Sequence, residues 1–150
     1  MKRKKYLGVI FAIPTTKGEY LSGIVVRDIK GILLCYFFKT IYSKPPTQDE
    51  IDFVINDEIL YIKQVTDMGF KDNTWIEIGK IDFIDEKKWV IPVFTKQDIL
   101  TKKYYSVQVN EDLDEISQKE INEEESFRMY KTGLAGSVFM ERFLSKLIYK

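Results

Sequence analysis

The sequence contains no histidine and a single cysteine, Cys35, among its 150 residues. Without histidine, Ser-His-Asp and Cys-His nucleophiles and histidine-ligated zinc sites are excluded. One cysteine allows neither a disulfide framework nor a cysteine-rich zinc site, so we expect Cys35 to be a small buried hydrophobe. The phosphate-binding patterns G-x-x-x-x-G-K-[ST] and G-x-G-x-x-G are absent as well. These absences predict a protein that is not an enzyme and that needs no cofactor.

An excess of charge of one sign is also missing, because 23 Lys and Arg balance 23 Asp and Glu. A neutral protein has no overall field that draws it onto nucleic acid or an anionic membrane. No apolar run reaches the roughly 18 residues that a membrane-spanning helix needs. We therefore expect no direct nucleic-acid binding and no membrane association, and any electrostatic role must come from local patches.

The N-terminus has two interpretations. Residues 2–5 are basic and residues 6–13 are apolar, which imitates a secretory signal. Pro14 ends the apolar run, Lys17 follows it, and no A-x-A-like cleavage site is present. We favour a basic tail at residues 1–5 followed by a first strand, which makes the cytoplasm the expected compartment.

Apolar and aromatic residues are abundant, at 45% and 14% of the chain, and the many Ile and Val favour sheet. Residues 6–13, 19–27 and 32–38 predict an antiparallel meander whose third strand, apolar on both faces, is central. Further strands are predicted at residues 59–65, 75–79, 89–94 and 104–109. Strands this close together, mostly without helical crossovers, argue against a parallel sheet.

The last forty residues differ from the strands before them. Residues 110–126 predict at most a weakly amphipathic helix, whereas residues 138–149 show a broad apolar face at helical spacing. The predicted fold is α+β, mainly antiparallel β: a curved sheet or partly open barrel with a C-terminal helix packed on it. We expect one domain over residues 1–150, made of the basic tail (1–5), a β-rich core (6–110), an acidic segment (111–126) and the C-terminal helix (138–149).

The acidic segment is the main candidate for partner binding. Its eight carboxylates are opposed by one lysine, Lys119, so that it carries a local net charge of minus seven. Such a field would speed the encounter with a basic partner, whereas a solvated loop without a specific role is the alternative. The candidate residues are Glu111, Asp112, Asp114, Glu115, Glu120, Glu123, Glu124 and Glu125.

Two rival functions stay open. Asp82, Asp85 and Glu86, with Lys88 in an E-x-K string, are compatible with a metal-dependent hydrolase, although four charged residues in a row are typical of a solvated turn. A β module that binds a small ligand or nucleic acid through sheet aromatics is the other rival. For Trp75 and Trp89, which lie in strand patterns, we expect core positions rather than exposed anchors.

The chain opens with the strand Gly8-Val-Ile-Phe-Ala-Ile-Pro14 and the turn and strand that follow it, Thr15-Thr-Lys-Gly-Glu-Tyr-Leu-Ser-Gly-Ile-Val-Val26. This opening resembles the immunity protein 26 family. Weaker similarity is found in Trp75-Ile-Glu-Ile-Gly79, Ile91-Pro-Val-Phe94 and Tyr104-Tyr-Ser-Val-Gln-Val109. The matching positions are mostly glycine, proline and apolar residues, so no functional residues can be transferred.

The resemblance implies a mainly β immunity protein of bacterial polymorphic-toxin systems. Such a protein binds a cognate toxin and blocks it by stoichiometric protein–protein inhibition, which needs no catalytic residues. If the toxin is a nuclease, the acidic segment would imitate a phosphate backbone and occupy the basic cleft of the toxin. The sequence leaves the toxin and the oligomeric state open.

Overall fold

A computed structural model describes residues 5–150, so residues 1–4 of the predicted basic tail lie outside the described residues. The chain divides into two compact units. The first unit contains the chain up to Ile84 together with Leu134–Lys150, and the second unit is Asp85–Gly133. The prediction of one domain over residues 1–150 stays a prediction.

The described residues form ten strands and four α-helices. The strands are β1 Val9–Pro14, β2 Tyr20–Ile29, β3 Ile32–Phe38, β4 Ile59–Thr66, β5 Ile76–Lys80, β6 Phe94–Gln97, β7 Tyr104–Val109, β8 Glu115–Ile121, β9 Tyr130–Lys131 and β10 Leu134–Ala135. The helices are α1 Ile51–Ile55, which follows a 3₁₀ turn at Gln48–Glu50, α2 Met68–Lys71, α3 Glu123–Phe127 and α4 Ser137–Ile148. The α+β class is confirmed, and the two sheets are not closed into a barrel.

The sheet of the first unit has six strands in the order β10-β4-β3-β2-β1-β5. Every neighbouring pair is antiparallel except β10 with β4. The predicted meander is therefore confirmed. So is the central place of β3, in which six of seven residues are buried.

The turn between β2 and β3 shows why the meander forms here. Lys30 and Gly31 both have positive φ, 56° and 87°, as a two-residue type I′ hairpin turn requires. The buried carboxylate of Asp28 accepts hydrogen bonds from the Gly31 amide at 3.1 Å and the Tyr6 amide at 2.9 Å. The turn is thereby tied to the residues that precede β1.

Aromatic rings form the centre of the first unit. Phe11 stacks on Trp75 with ring centroids 5.2 Å apart and meets Phe37 and Phe70 edge-on at 5.8 and 5.1 Å. Rings in these arrangements contribute about 0.5–1.5 kcal/mol per pair beyond the burial of their area. Gly69 permits the packing, because a Cβ at this position would overlap the Trp75 ring.

The predicted C-terminal helix is confirmed as α4, and it packs on the sheet of the first unit. Its Met140 and Leu144 are buried in the core, and Phe143 meets Tyr61 of β4 edge-on at 4.8 Å. The indole Nε1 of Trp75 donates to Glu141 at 3.1 Å. The helix therefore completes the hydrophobic core of the first unit.

The second unit holds a four-stranded sheet in the order β8-β7-β6-β9. It corrects two predictions. Residues 110–126 contain the strand β8 and only the short helix α3, because β8 pairs with β7 in an antiparallel ladder that has one irregularity, between Gln108 and Val109. The strand predicted at residues 89–94 is wrong: β6 begins at Phe94, after Pro92, which has no N–H for a ladder.

Candidate functional site: the exposed end of the second sheet

All eight acidic candidates are exposed, but the structure does not bring them together. They lie in the turn before β8, on β8 itself and in α3 after it. Glu111, Asp112 and Asp114 precede the strand, whereas Glu123, Glu124 and Glu125 follow it. A strand of seven residues spans roughly 20 Å. The Debye length at physiological ionic strength is only about 8 Å, and interactions between exposed charges are largely screened beyond it. The two outer groups therefore act as separate patches.

The turn before β8 is organised by Asn110. Its side-chain oxygen accepts hydrogen bonds from the amides of Asp112 and Asp114, both at 3.0 Å. Leu113 takes a positive φ of 62° and is buried. The acidic residues of this turn are exposed because Leu113 takes the inward place.

The acidic residues after β8 form the first turn of α3. The side chain of Asn122 accepts from the Glu125 amide at 2.8 Å, and the Glu125 carboxylate accepts from the Asn122 amide at 3.4 Å. This reciprocal arrangement is a capping box. Negative side chains are also favoured at a helix N-terminus by the exposed amides and the helix dipole. Helix capping and the helix dipole thus explain why some of these acidic residues occur at the start of α3.

Ion pairs reduce the charge of the acidic segment. Glu115 contacts Lys96 at 3.1 Å, Glu120 contacts Lys103 at 3.7 Å, and Glu124 contacts Arg128 at 3.1 Å. Exposed pairs of this kind contribute about 0–1 kcal/mol of stability each. Over the whole second unit, eleven acidic residues stand against eight basic ones, a net charge of minus three. The acidic segment therefore does not present the full net charge of minus seven that its sequence indicates.

One feature at the end of the sheet where α3 begins is not among the predictions made from the sequence. The β6–β7 hairpin ends in a loop of residues 98–103, here called the hairpin tip. Ile99 and Leu100 in this tip are 82% and 91% exposed, the two highest values among the described large apolar side chains. Register places the tip beside α3, because Tyr104 at the start of β7 pairs with Ile121 at the end of β8.

Asp98 holds the hairpin tip in one conformation. Its Oδ1 accepts from the amides of Leu100 at 2.8 Å and Thr101 at 3.0 Å. Its amide donates to the carbonyl of Lys103 at 2.8 Å, and its carbonyl accepts from the amide of Lys102 at 2.9 Å. The Thr101 and Leu100 amides lower the pKa of the Asp98 carboxyl, because they stabilise its ionised form.

A shallow cavity of about 410 Å³ adjoins the hairpin tip. Its lining residues are Lys96, Gln97, Asp98, Ile99, Leu100, Tyr105 and Gln118. At the same end of the sheet but on its other face, Phe127 of α3 is 74% exposed and meets Tyr104 edge-on at 6.4 Å. This end of the sheet thus combines exposed aliphatic and aromatic side chains with charges of both signs, since Lys102 and Lys103 lie in the tip and Lys96 lines the cavity. The signal that could have indicated it is a pair of consecutive aliphatic residues, Ile99-Leu100, between the strands predicted at residues 89–94 and 104–109.

The residues considered for a hydrolase offer no such site. Asp82, Asp85, Glu86 and Lys88 are all exposed, and Asp85 accepts a hydrogen bond from the amide of Lys87 at 3.0 Å as part of a turn. Within residues 5–150, no group of three His, Cys, Asp or Glu side chains is placed to hold a metal ion. The geometry gives the hydrolase hypothesis no support.

The other single residues behave as the sequence predicts. Cys35 is buried, and burial, followed by the charge of Asp28, raises the pKa of its thiol well above the ordinary value. The thiol is therefore kept protonated and unreactive. Trp75 and Trp89 are both buried, at 2% and 5% exposure, so neither ring is available for stacking on a base. In the part of the chain that is described, no helix has the length and apolar character needed to cross a membrane.

Comparison with known proteins identifies the family. A family model described as Immunity protein 26 matches residues 7–106, two thirds of the chain. The chain belongs to the immunity protein 26 family. The matched range covers the meander and extends through the hairpin tip, and it ends before the acidic segment. Neither a curated protein nor a solved structure gives a significant match.

Proposed function

We propose that this protein is an immunity protein that binds a cognate bacterial toxin in the cytoplasm and neutralises it by stoichiometric protein–protein inhibition. The observation that carries the proposal is membership of the immunity protein 26 family over residues 7–106. The side-chain chemistry supports it, because the one cysteine is buried with a raised thiol pKa and the carboxylates of the second unit are exposed and spread along a strand. Inhibition by contact needs none of the reactive groups that catalysis requires.

The acidic residues would contribute to the rate of encounter rather than to the grip. Exposed charges at the rim of an interface mainly change the association rate and its salt dependence. We assign this role to Glu123, Glu124 and Glu125, because they share the end of the second sheet with exposed apolar side chains. If the toxin is a nuclease, these carboxylates would approach its phosphate-binding lysines and arginines. Glu111, Asp112 and Asp114, at the far end of β8, would contribute less.

Co-expression tests the function itself. The chain is expressed together with the product of the neighbouring upstream gene, and growth and co-purification are measured. We expect growth to be restored and the two proteins to elute together in equal amounts. If the chain neither restores growth nor co-purifies, the proposal is wrong.

Charge removal tests the role of the acidic residues. In one variant Glu123, Glu124 and Glu125 are changed to Gln, since Gln at position 125 preserves the capping box. The matched control changes Glu111 to Gln and Asp112 and Asp114 to Asn at the other end of β8. We expect the first variant to associate roughly tenfold more slowly at low salt, with the difference shrinking at high salt. Equal slowing in both variants would mean that only net charge matters.

A further inference from the structure

The outer edge of β5 has no partner strand. β5 is the last strand of the six-stranded sheet and pairs only with β1. Apart from that ladder, no backbone hydrogen bond within residues 5–150 reaches Ile76–Lys80. The side chains of Ile76, Glu77 and Lys80 are exposed. An unpaired edge of this kind is a template on which another extended chain can pair.

The backbone groups of Glu77 and Lys80 point to this open edge. In an antiparallel sheet, the hydrogen-bonding groups of successive residues alternate between the two neighbouring strands. The amide of Thr15, which follows β1, donates to the carbonyl of the residue that precedes β2, so the odd-numbered residues of β1 are bonded to β2. Glu77 and Lys80 lie opposite two odd-numbered residues, Phe11 and Val9. Their N–H and C=O groups are therefore directed away from β1.

The side chains of Glu77 and Lys80 also share one face of the sheet. Residues opposite each other in an antiparallel ladder project to the same face, and Phe11 and Val9 both belong to the core on one side of the sheet. The register irregularity between Ile10 and Phe11 adds one residue to β5, which lets two residues three positions apart share a face. Within the described residues, neither Glu77 nor Lys80 forms an ion pair.

The edge segment Ile76-Glu-Ile-Gly-Lys-Ile81 is complementary to itself. When a second copy runs antiparallel with its Lys80 opposite Glu77, two-fold symmetry also places its Glu77 opposite Lys80. The same register sets Ile76 opposite Ile81. Cross-strand pairs of opposite charge and of β-branched side chains stabilise an antiparallel ladder. Registers that pair Glu77 with Glu77, or Lys80 with Lys80, would set like charges against each other.

The chemistry of the edge selects the occupant. Its unpaired groups are backbone amides and carbonyls in extended conformation, which another extended polypeptide complements and which a bilayer or a nucleic acid does not. Among polypeptides, a second copy of this chain carries the complementary charge at both charged positions. Identical subunits related by a two-fold axis form a closed pair, so that no further strand is added.

We propose that this protein forms a homodimer in which the β5 strands of two copies pair antiparallel, with Glu77 of each copy opposite Lys80 of the other. The two six-stranded sheets then join into one continuous sheet. The ladder is short, and small interfaces support weak or transient association. We therefore expect a monomer–dimer equilibrium with a Kd of roughly 10–100 μM. The dimer does not depend on the proposed function.

The test is sedimentation equilibrium of the full chain from about 10 μM to about 1 mM. Glu77→Lys and Lys80→Glu each set like charges across both symmetry-related pairs, and we expect each single variant to raise the Kd at least about tenfold. An equal mixture of the two single variants should form a heterodimer, because both pairs then regain opposite charges. The double variant Glu77→Lys/Lys80→Glu should dimerise as the wild type does.

The matched controls are Glu86→Lys and Lys87→Glu, which make the same changes of net charge in an exposed turn. Each control should dimerise as the wild type does. The thermal unfolding midpoints of all variants should match that of the wild type, since the altered side chains are exposed.

Three results would overturn the dimer. The first is a wild type that stays monomeric at about 1 mM. The second is a dimer that Glu77→Lys and Lys80→Glu leave unchanged, which would place the contact on another surface. The third is a mixture of the two single variants that associates no more than either variant alone, which would exclude the pairing of Glu77 with Lys80.

Discussion

The two units of this chain use their apolar residues in different ways. Among the described residues, 24 buried apolar side chains belong to the first unit and five to the second. The first unit places Phe11, Phe37, Phe70 and Trp75 around one centre, whereas the second leaves Ile99, Leu100 and Phe127 in water. The difference teaches that the apolar core of the chain lies mainly in the first unit, although this unit also leaves Phe53 and Phe83 exposed. The predictions below test this division.

Removing the central ring of the first unit should have the largest effect. Trp75→Ala deletes a buried ring that contacts three other rings, and we expect the free energy of unfolding to fall by about 3–5 kcal/mol. Chemical denaturation measures the change. Trp75→Phe is the control and should lose distinctly less, because much of the ring volume stays. A loss below 1 kcal/mol for Trp75→Ala would contradict the central place of this core.

Adding one methyl group beside the same ring should come next. Gly69→Ala places a Cβ within overlap of the Trp75 ring, so we expect a loss of about 1–3 kcal/mol in unfolding free energy. Gly136→Ala is the matched control: no atom lies within 4 Å of a Cβ at that position, and its φ is −79°. Unfolding curves that coincide for the two variants would show that the packing around Trp75 is loose.

The two units also differ in how much of their structure could be predicted from the sequence. Alternating apolar residues in the first strands and a third strand that is apolar on both faces predict the meander, because a strand without polar residues has to be buried on both sides. Trp75 and Cys35 could be placed in the core for the same reason. By contrast, the strand at Glu115–Ile121 carries mostly polar residues and gains its structure from pairing with the preceding strand β7, which the composition of β8 by itself does not indicate.

The candidate site was predictable only in part. The eight acidic residues could be named from the sequence, but their ion pairs with Lys96, Lys103 and Arg128 depend on the register of the second sheet. The exposure of Ile99 and Leu100 depends on the geometry of a single turn. Charge is visible in letters, whereas exposure is a property of the fold.

A buried hydroxyl pair allows the second unit to be weakened separately. Thr95 Oγ1 lies 2.6 Å from Ser126 Oγ and donates to the carbonyl of Tyr105 at 3.1 Å. Thr95→Val removes the hydroxyl that contacts Ser126 Oγ and the Tyr105 carbonyl. We expect the free energy of unfolding to fall by about 1–2 kcal/mol. Hydrogen exchange should show faster exchange in β6 and β7. If the exchange rates of the amides in β2 and β3 rise by the same factor, the two units unfold together and do not differ in stability.

The smallest predicted effect is the pH response of the hairpin tip. The pKa of Asp98 is lowered in the folded state by the amides of Thr101 and Leu100. The stabilisation of the tip is therefore complete above the ordinary carboxyl pKa and is lost as pH falls through the lowered value. NMR titration should show the Leu100 and Thr101 amides shifting only in strongly acidic solution, and Asp98→Asn should reduce this response. A midpoint above that of an exposed aspartate would contradict the hydrogen-bonded turn.

The most direct test of the account is a titration of toxin activity with this protein. If the protein acts by contact alone, residual activity should fall linearly and reach zero at one immunity protein per toxin, in every buffer where the complex forms. Loss of toxin activity at a small fraction of one equivalent, increasing with time, would reveal turnover and contradict the account.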